Sequence, residues 1–228
     1  MLAHTAQTES SKHAGYGARA RPVMAPHPLE DSFDLMGAPM PFARNMEIYG
    51  ENEPADYFYK VLSGTVRTYK VLSDGRRQIG AFYLPGDVFG IENGPEHAFS
   101  AEAISNAKVL LIKRSAVTAL ASRDNTAAHQ LLGLTARELG RAQNHIMLLI
   151  KTAQERVAGF LLEMAERGQA PGEIDLPMSR QDIADYLGLT IETISRTLTH
   201  LENCAAISLP TSRRIVLRDP AALRQLNG

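Results

Sequence analysis

Residues 178–196 read Met178-Ser179-Arg180-Gln181-Asp182-Ile183-Ala184-Asp185-Tyr186-Leu187-Gly188-Leu189-Thr190-Ile191-Glu192-Thr193-Ile194-Ser195-Arg196. Ser179 can cap a helix, with Asp182 three residues on to return the bond. A short helix then runs from Gln181 to Leu187, and Ala184 sits where two helices cross closely and only a small side chain fits. Gly188, four residues later, permits a sharp turn because it has no Cβ to clash at positive φ. Leu189 packs in that turn. Thr190 caps a second helix, which runs to about Glu202, and Ile194 and Leu198 anchor it. A small residue, a glycine at plus four and an apolar residue at plus ten have the spacing of a helix-turn-helix.

The outward face of the second helix carries Glu192, Ser195 and Arg196 at i, i+3 and i+4, one above another. Arginine pairs bidentately with guanine O6 and N7, glutamate accepts from cytosine N4, and a small hydroxyl suits a neighbouring base. On an arbitrary helix the same residues form an ordinary surface ion pair. On the second helix of a helix-turn-helix that face is the one that enters the major groove. Arg180, Thr190 and Thr193 stand at helix starts, where phosphate contacts are expected. Ala206–Leu209 and Ile215–Leu217 read as a hairpin with a basic tip. Its Arg213 and Arg214 either sit on flanking phosphates or stay as solvated surface charges. Cys204, at the end of the second helix, is either a redox switch near bound DNA or an inert residue packed under the hairpin.

Upstream, Leu132, Leu139, Ala142, Ile146, Leu149 and Ala153, with Thr135 in register, step by threes and fours along one helix. This is a heptad seam, which needs a partner helix. The alternative is packing on the chain's own strands. Leu131, Leu134 and Met147 broaden the apolar face, while Arg137, Glu138, Arg141, Gln143 and Asn144 lie opposite. The Lys151–Thr152 step is where this helix can bend, and a further helix runs from Gln154 to Arg167. Gly168 to Pro177 reads as a linker.

Between Phe42 and Lys113 the pattern is one of short strands: Tyr57–Leu62, Thr65–Leu72, Gln78–Leu84, Ala101–Ile104 and Val109–Ile112. Ser63-Gly64, Ser73-Asp74-Gly75 and Pro85-Gly86-Asp87 punctuate them as turns. Such spacing suggests a β-sandwich or roll. Residues 1–28 lack an apolar period and read as a mobile tail. Its His4, His13 and His27 are metal candidates only in the weak sense that any histidine is.

The composition, 44% hydrophobic and 21% charged, is that of a globular chain. No apolar run is long enough for a membrane span and no signal-peptide order is present, so the cytoplasm is the expected compartment. The net charge of -1 does not advertise nucleic-acid binding, so that case rests on the motif. A single cysteine rules out a multi-thiolate metal or iron–sulfur site within one chain.

From about Pro41 to Leu226 the chain resembles the CRP/FNR superfamily of bacterial regulators. The resemblance is carried by Val61-Leu62-Ser63-Gly64-Thr65-Val66, by Leu84-Pro85-Gly86-Asp87-Val88-Phe89-Gly90, by Gln154-Glu155-Arg156-Val157-Ala158-Gly159-Phe160-Leu161-Leu162 and above all by the stretch quoted first. It implies an α+β fold: a cyclic-nucleotide-binding-type β-roll over 29–126, a dimerisation helix over 127–152 and a winged helix-turn-helix over 153–228. It also implies a homodimer that binds double-stranded DNA and contacts RNA polymerase. Glu192, Ser195 and Arg196 look like the FNR and FixK branches, which read TTGAT and ATCAA half-sites. Carried over, Glu192 and Arg196 read the C·G pair of each half-site and Ser195 a neighbouring thymine.

Two departures refine the expectation. Oxygen-sensing members of the family carry a cysteine cluster, which is missing here. Nucleotide-binding members use a Gly-Glu pair and an Arg-Ser pair. Here Gly90 is followed by Ile91, with the acid at Glu92, and His97-Ala98 stands near the Arg-Ser position. A cyclic phosphate would lack its charge-assisted bonds. The expected protein is therefore a FixK-like activator for low-oxygen life, with no cofactor, no metal and no small effector. One competing reading gates the same fold with a ligand such as haem, through His97, His129 or His145. Another is a β-roll metal enzyme, which is disfavoured because His97 is the single histidine between Tyr57 and Ile112.

Overall fold

The computed structural model describes residues 36–227 except 169 and 171. The expected tail, with His4, His13 and His27, lies outside the described residues. Eight strands build the N-terminal part: β1 (Ala38–Phe42), β2 (Glu47–Tyr49), β3 (Tyr57–Ser63), β4 (Val66–Val71), β5 (Arg77–Tyr83), β6 (Val88–Phe89), β7 (Ser100–Ala103) and β8 (Ala107–Lys113). They form two antiparallel sheets, in the orders β1-β8-β3-β6 and β2-β7-β4-β5. The five strands expected from sequence are present within one or two residues of their limits. The turns close as the glycines require, with Gly64, Gly75 and Gly86 all at positive φ.

Alternation along these strands fills the interior of the roll with aromatic rings. Tyr59 stacks on Phe89 at 5.1 Å between centroids, Tyr83 on Phe89 at 5.0 Å and Tyr49 on His97 at 3.6 Å. On the outer side, Phe58, Leu110 and Ile112 pack against Val117 of α1 (Arg114–Ala121) and Ala127 and Leu134 of α2 (Asn125–Leu149).

Helix α2 carries the residues expected to form a heptad seam, and much of that stripe is exposed. Leu132, Leu139 and Ile146 are 65%, 59% and 62% exposed, and Ala142 is exposed as well. One sequence expectation needs correction. The seam does not continue to Ala153, because the helix ends at Leu149 and Thr152 turns extended to cap α3 (Ala153–Arg167). Its hydroxyl accepts from the Glu155 N–H while the Glu155 carboxylate accepts from the Thr152 N–H, a reciprocal box that starts a new helix. On the face opposite the stripe, Glu138 and Arg141 are half-buried against the roll. The Tyr83 hydroxyl donates to Glu138 at 3.2 Å, and Arg141 donates to Asp87 at 3.0 Å.

The C-terminal part contains α3, β9 (Glu173–Asp175), α4 (Arg180–Leu187), α5 (Ile191–Asn203), β10 (Ile207–Ser208), β11 (Arg214–Leu217) and α6 (Pro220–Asn227). The presumed linker holds a strand: β9 pairs antiparallel with β11, giving the order β10-β11-β9. One apolar cluster joins both parts of the chain. Ile79, Phe82 and Ile104 of the roll meet Phe160, Met164, Tyr186 and Leu187 of the helical part.

Gly90 has φ +76, and a Cβ there would stand 2.6 Å from the Tyr59 ring. We expect Gly90→Ala to cost at least about 1–2 kcal/mol from backbone strain alone, read as a lower midpoint in urea unfolding. An unchanged midpoint would mean that the backbone at position 90 relaxes out of the left-handed region and away from the Tyr59 ring.

Candidate nucleic-acid interface

The helix-turn-helix is built as its residues require. The Ser179 hydroxyl accepts from the Asp182 N–H at 3.1 Å, and the Asp182 carboxylate accepts from the Ser179 N–H at 2.9 Å. Ala184 is fully buried. Gly188 ends α4 in the left-handed conformation, φ 62 and ψ 40, and the Leu189 N–H closes the turn on the Ala184 carbonyl at 3.0 Å. Ile194, Leu198 and Leu201 bury one face of α5 almost completely. The other face is therefore committed to solvent.

On that face Glu192 and Arg196 are exposed and Ser195 is half-buried. The Arg196 guanidinium takes part in no hydrogen bond or salt bridge among the described residues. The Glu192 carboxyl is held below its ordinary range by its own backbone N–H in the first helical turn, by the Thr190 hydroxyl and by the nearby Arg196 charge. Thr190 caps α5 by accepting from the Thr193 N–H at 3.2 Å, and the two hydroxyls lie 3.1 Å apart. Arg180 opens α4 half-buried, with a buried Nη1 that has no partner among the described residues.

In the wing, the Thr211 hydroxyl accepts from the N–H groups of Arg213 and Arg214, which shapes the tip. Arg213 is exposed there. Arg214 differs, because it lies at the start of β11 and its guanidinium is paired with Glu173. Cys204 is exposed rather than packed under the wing, and its Sγ lies 3.8 Å from His200 Nε2. The structure thus brings Thr190, Glu192, Thr193, Ser195 and Arg196 onto one short helix segment, with Arg213 on a separate projection.

Sequence reasoning missed the residues that grip α4. Arg67 and Arg77 of the roll donate to Asp182 at 2.6 and 2.7 Å, and Arg77 also donates to Asp185 at 2.8 Å. At the other end of α4 the last carbonyls lack helical partners. The Tyr186 carbonyl accepts from His145 of α2 at 2.8 Å and from Gln78 of β5 at 3.3 Å, and Leu187 accepts from Arg156 of α3 at 2.8 Å. The His145 ring stacks on the Tyr186 ring at 4.1 Å. A carbonyl only accepts, so His145 Nε2 carries the proton. Of the other histidines considered, His97 is buried, with Nδ1 3.4 Å from a Glu92 carboxylate oxygen, and His129 is exposed.

Burial lowers the pKa of His145 below the ordinary histidine value, outweighing the Tyr186 carbonyl bond and the Glu163 charge. Below about pH 6.5 the unfolded chain therefore binds a proton that the folded chain resists. Stability contributed by a neutral His145 is present above that pH and falls as the pH drops toward the folded value. We expect His145→Gln to flatten the slope of unfolding free energy between pH 7 and pH 5. An identical slope in the variant would show that His145 is not the group responsible.

Two family models match the chain. A Crp-like helix-turn-helix domain covers residues 155–226 and a cyclic nucleotide-binding domain covers residues 39–124. The chain is 54% identical over 198 residues to the nitrogen fixation regulation protein FixK of Azorhizobium caulinodans, spanning 84% of this chain and 80% of that protein. It is 43% identical over 181 residues to the protein of the same name from Rhizobium meliloti, spanning 79% and 82% respectively. Among solved structures, FixK2 from Bradyrhizobium japonicum matches with a TM-score of 0.82 at 51% identity, covering 84% of this chain and 98% of that one.

Proposed function

The chain belongs to the FixK-like branch of the CRP/FNR family of DNA-binding transcription regulators, and on that footing we propose that it acts as a homodimeric activator reading a TTGAT-N4-ATCAA-like palindrome without a small effector. The observation that carries this reading is the exposed Arg196, without a hydrogen bond or salt bridge among the described residues, beside Glu192 and Ser195 on a helix whose opposite face is anchored. Glu192 and Arg196 read the C·G pair of each half-site and Ser195 a neighbouring thymine. Thr190, Thr193, Arg180 and Arg213 supply phosphate contacts. Arg214 joins them by leaving Glu173, an exposed pair that costs little to break.

Dimerisation is supported by the exposed stripe of Leu132, Leu139 and Ile146, together with Ala142 and Leu149, on a helix 25 residues long. Two-fold symmetry then sets two recognition helices about 34 Å apart, one turn of DNA. Independence from an effector is supported by the ring-filled interior of the roll and by Glu92, whose carboxylate lies beside the buried His97. The names of the relatives, which include nitrogen fixation regulators and anaerobic regulatory proteins, support a role in low-oxygen gene control. Such a regulator works with RNA polymerase in the cytoplasm. No described helix is long and apolar enough to cross a membrane.

Arg196→Ala should weaken binding to the palindrome by about 1–3 kcal/mol per base pairing lost, with little change on DNA whose C·G pairs are altered. Equal loss on both duplexes, measured by fluorescence anisotropy, would reduce Arg196 to a phosphate contact. Leu139→Lys or Ile146→Lys should yield a monomer in light scattering with weak, non-specific affinity. A dimeric variant that still holds the operator would move the interface elsewhere.

A further inference from the structure

Helix α4 has eight residues, and its orientation is imposed from outside. Asp182 is 5% exposed and divides its carboxylate between two tasks. One oxygen caps α4 through the Ser179 N–H and hydroxyl, at 2.9 and 2.8 Å. The other accepts from Arg67 and Arg77, on the neighbouring strands β4 and β5. Arg67 is itself oriented by Glu102 of β7, at 3.0 Å to both carboxylate oxygens. Arg77 reaches Asp185, one turn along α4, through both Nε and Nη2. The apolar contact beneath, where Phe82 lies 5.2 Å from Tyr186, is non-directional and tolerates sliding. Bonds from a rigid guanidinium fork to two carboxylates on one helix face do not.

We propose that Arg67 and Arg77 are positioning residues for DNA reading: by locking Asp182 and Asp185 they fix the helix-turn-helix against the roll, and so set which half-site spacing the dimer accepts. The inference rests on the dimeric, palindrome-reading function proposed above. A dimer whose heads are held rigidly matches one separation along the duplex. A dimer whose heads swing accepts several. The lock therefore acts on spacing rather than on the bases read within a half-site.

The Arg77–Asp185 pair allows a test, because Asp185 lies outside the cap of α4. The full chain, Arg77→Asp, Asp185→Arg and the double reversal would be titrated on duplexes with half-sites three, four or five base pairs apart. Light scattering and thermal melting would run in parallel. The wild-type chain should favour the four-base-pair spacer by about tenfold or more. Each single variant should remain dimeric but lose most of that ratio, and the double reversal should recover part of it, because it rebuilds the pair at position 185 but not the Arg77 bond to Asp182. Should Arg77→Asp fail to fold, Arg77→Gln is read on the same duplexes. Folded, dimeric single variants that keep the wild-type ratio would overturn the proposal, as would a wild-type chain that binds all three spacings alike. A wild-type chain that binds no palindrome better than scrambled DNA would instead overturn the reading on which the proposal rests.

Discussion

The buried Asp182 carboxylate, shared between the cap of a short helix and two arginines of the roll, is the constraint on which the rest depends. A carboxylate this deep is tolerable only with every oxygen engaged, and removing one partner of such a group costs about 3–5 kcal/mol. Arg67 lies equally deep and is satisfied at both Nη atoms by Asp182 and Glu102. The first helix of the DNA-reading motif is thus held by polar contacts to the strands as well as by its own core. Through the left-handed turn at Gly188 the recognition helix inherits that placement.

A second set of tethers works in parallel. Asp87, in the turn between β5 and β6, accepts from Arg141 of the long helix and from Arg167 at the end of α3, while its side chain also caps the Leu84 N–H. The turn that closes the roll is therefore also the joint to the helical part. Combined with the ring-filled interior of the roll and the shared apolar cluster, these contacts describe a regulator whose parts are already assembled. A ligand shifts an equilibrium only by its differential affinity for two states. On the function proposed above, a chain held by these contacts leaves an effector little to change.

The legible parts of the sequence were those in which conformation or burial demands one residue type. Gly188 was readable because the turn needs positive φ, and Ala184, Ile194 and Leu198 because burial recurs at helical spacing. The roll was readable from alternation and its turn glycines. The β9 strand was not, because three residues with only Ile174 buried leave no pattern. The break at Lys151–Thr152 was legible as a bend, but Ala153 continues the apolar period and so was counted into the seam, because the cap depends on a hydroxyl and a carboxylate meeting in space. The roles of Glu138 and Arg141 were not legible because their partners, Tyr83 and Asp87, lie more than fifty residues away. The lock was least legible of all, since Arg67 and Asp182 are 115 residues apart and an arginine within a strand announces no partner.

Effector-free reading of the palindrome is the property on which the proposed function stands or falls. Its most direct test is an anisotropy titration of the purified protein on a TTGAT-N4-ATCAA duplex, with and without cyclic AMP, beside a duplex with the C·G pairs changed. The account predicts tight binding that ignores the nucleotide and collapses on the altered duplex. Binding that requires the nucleotide, or that treats the two duplexes alike, would contradict it.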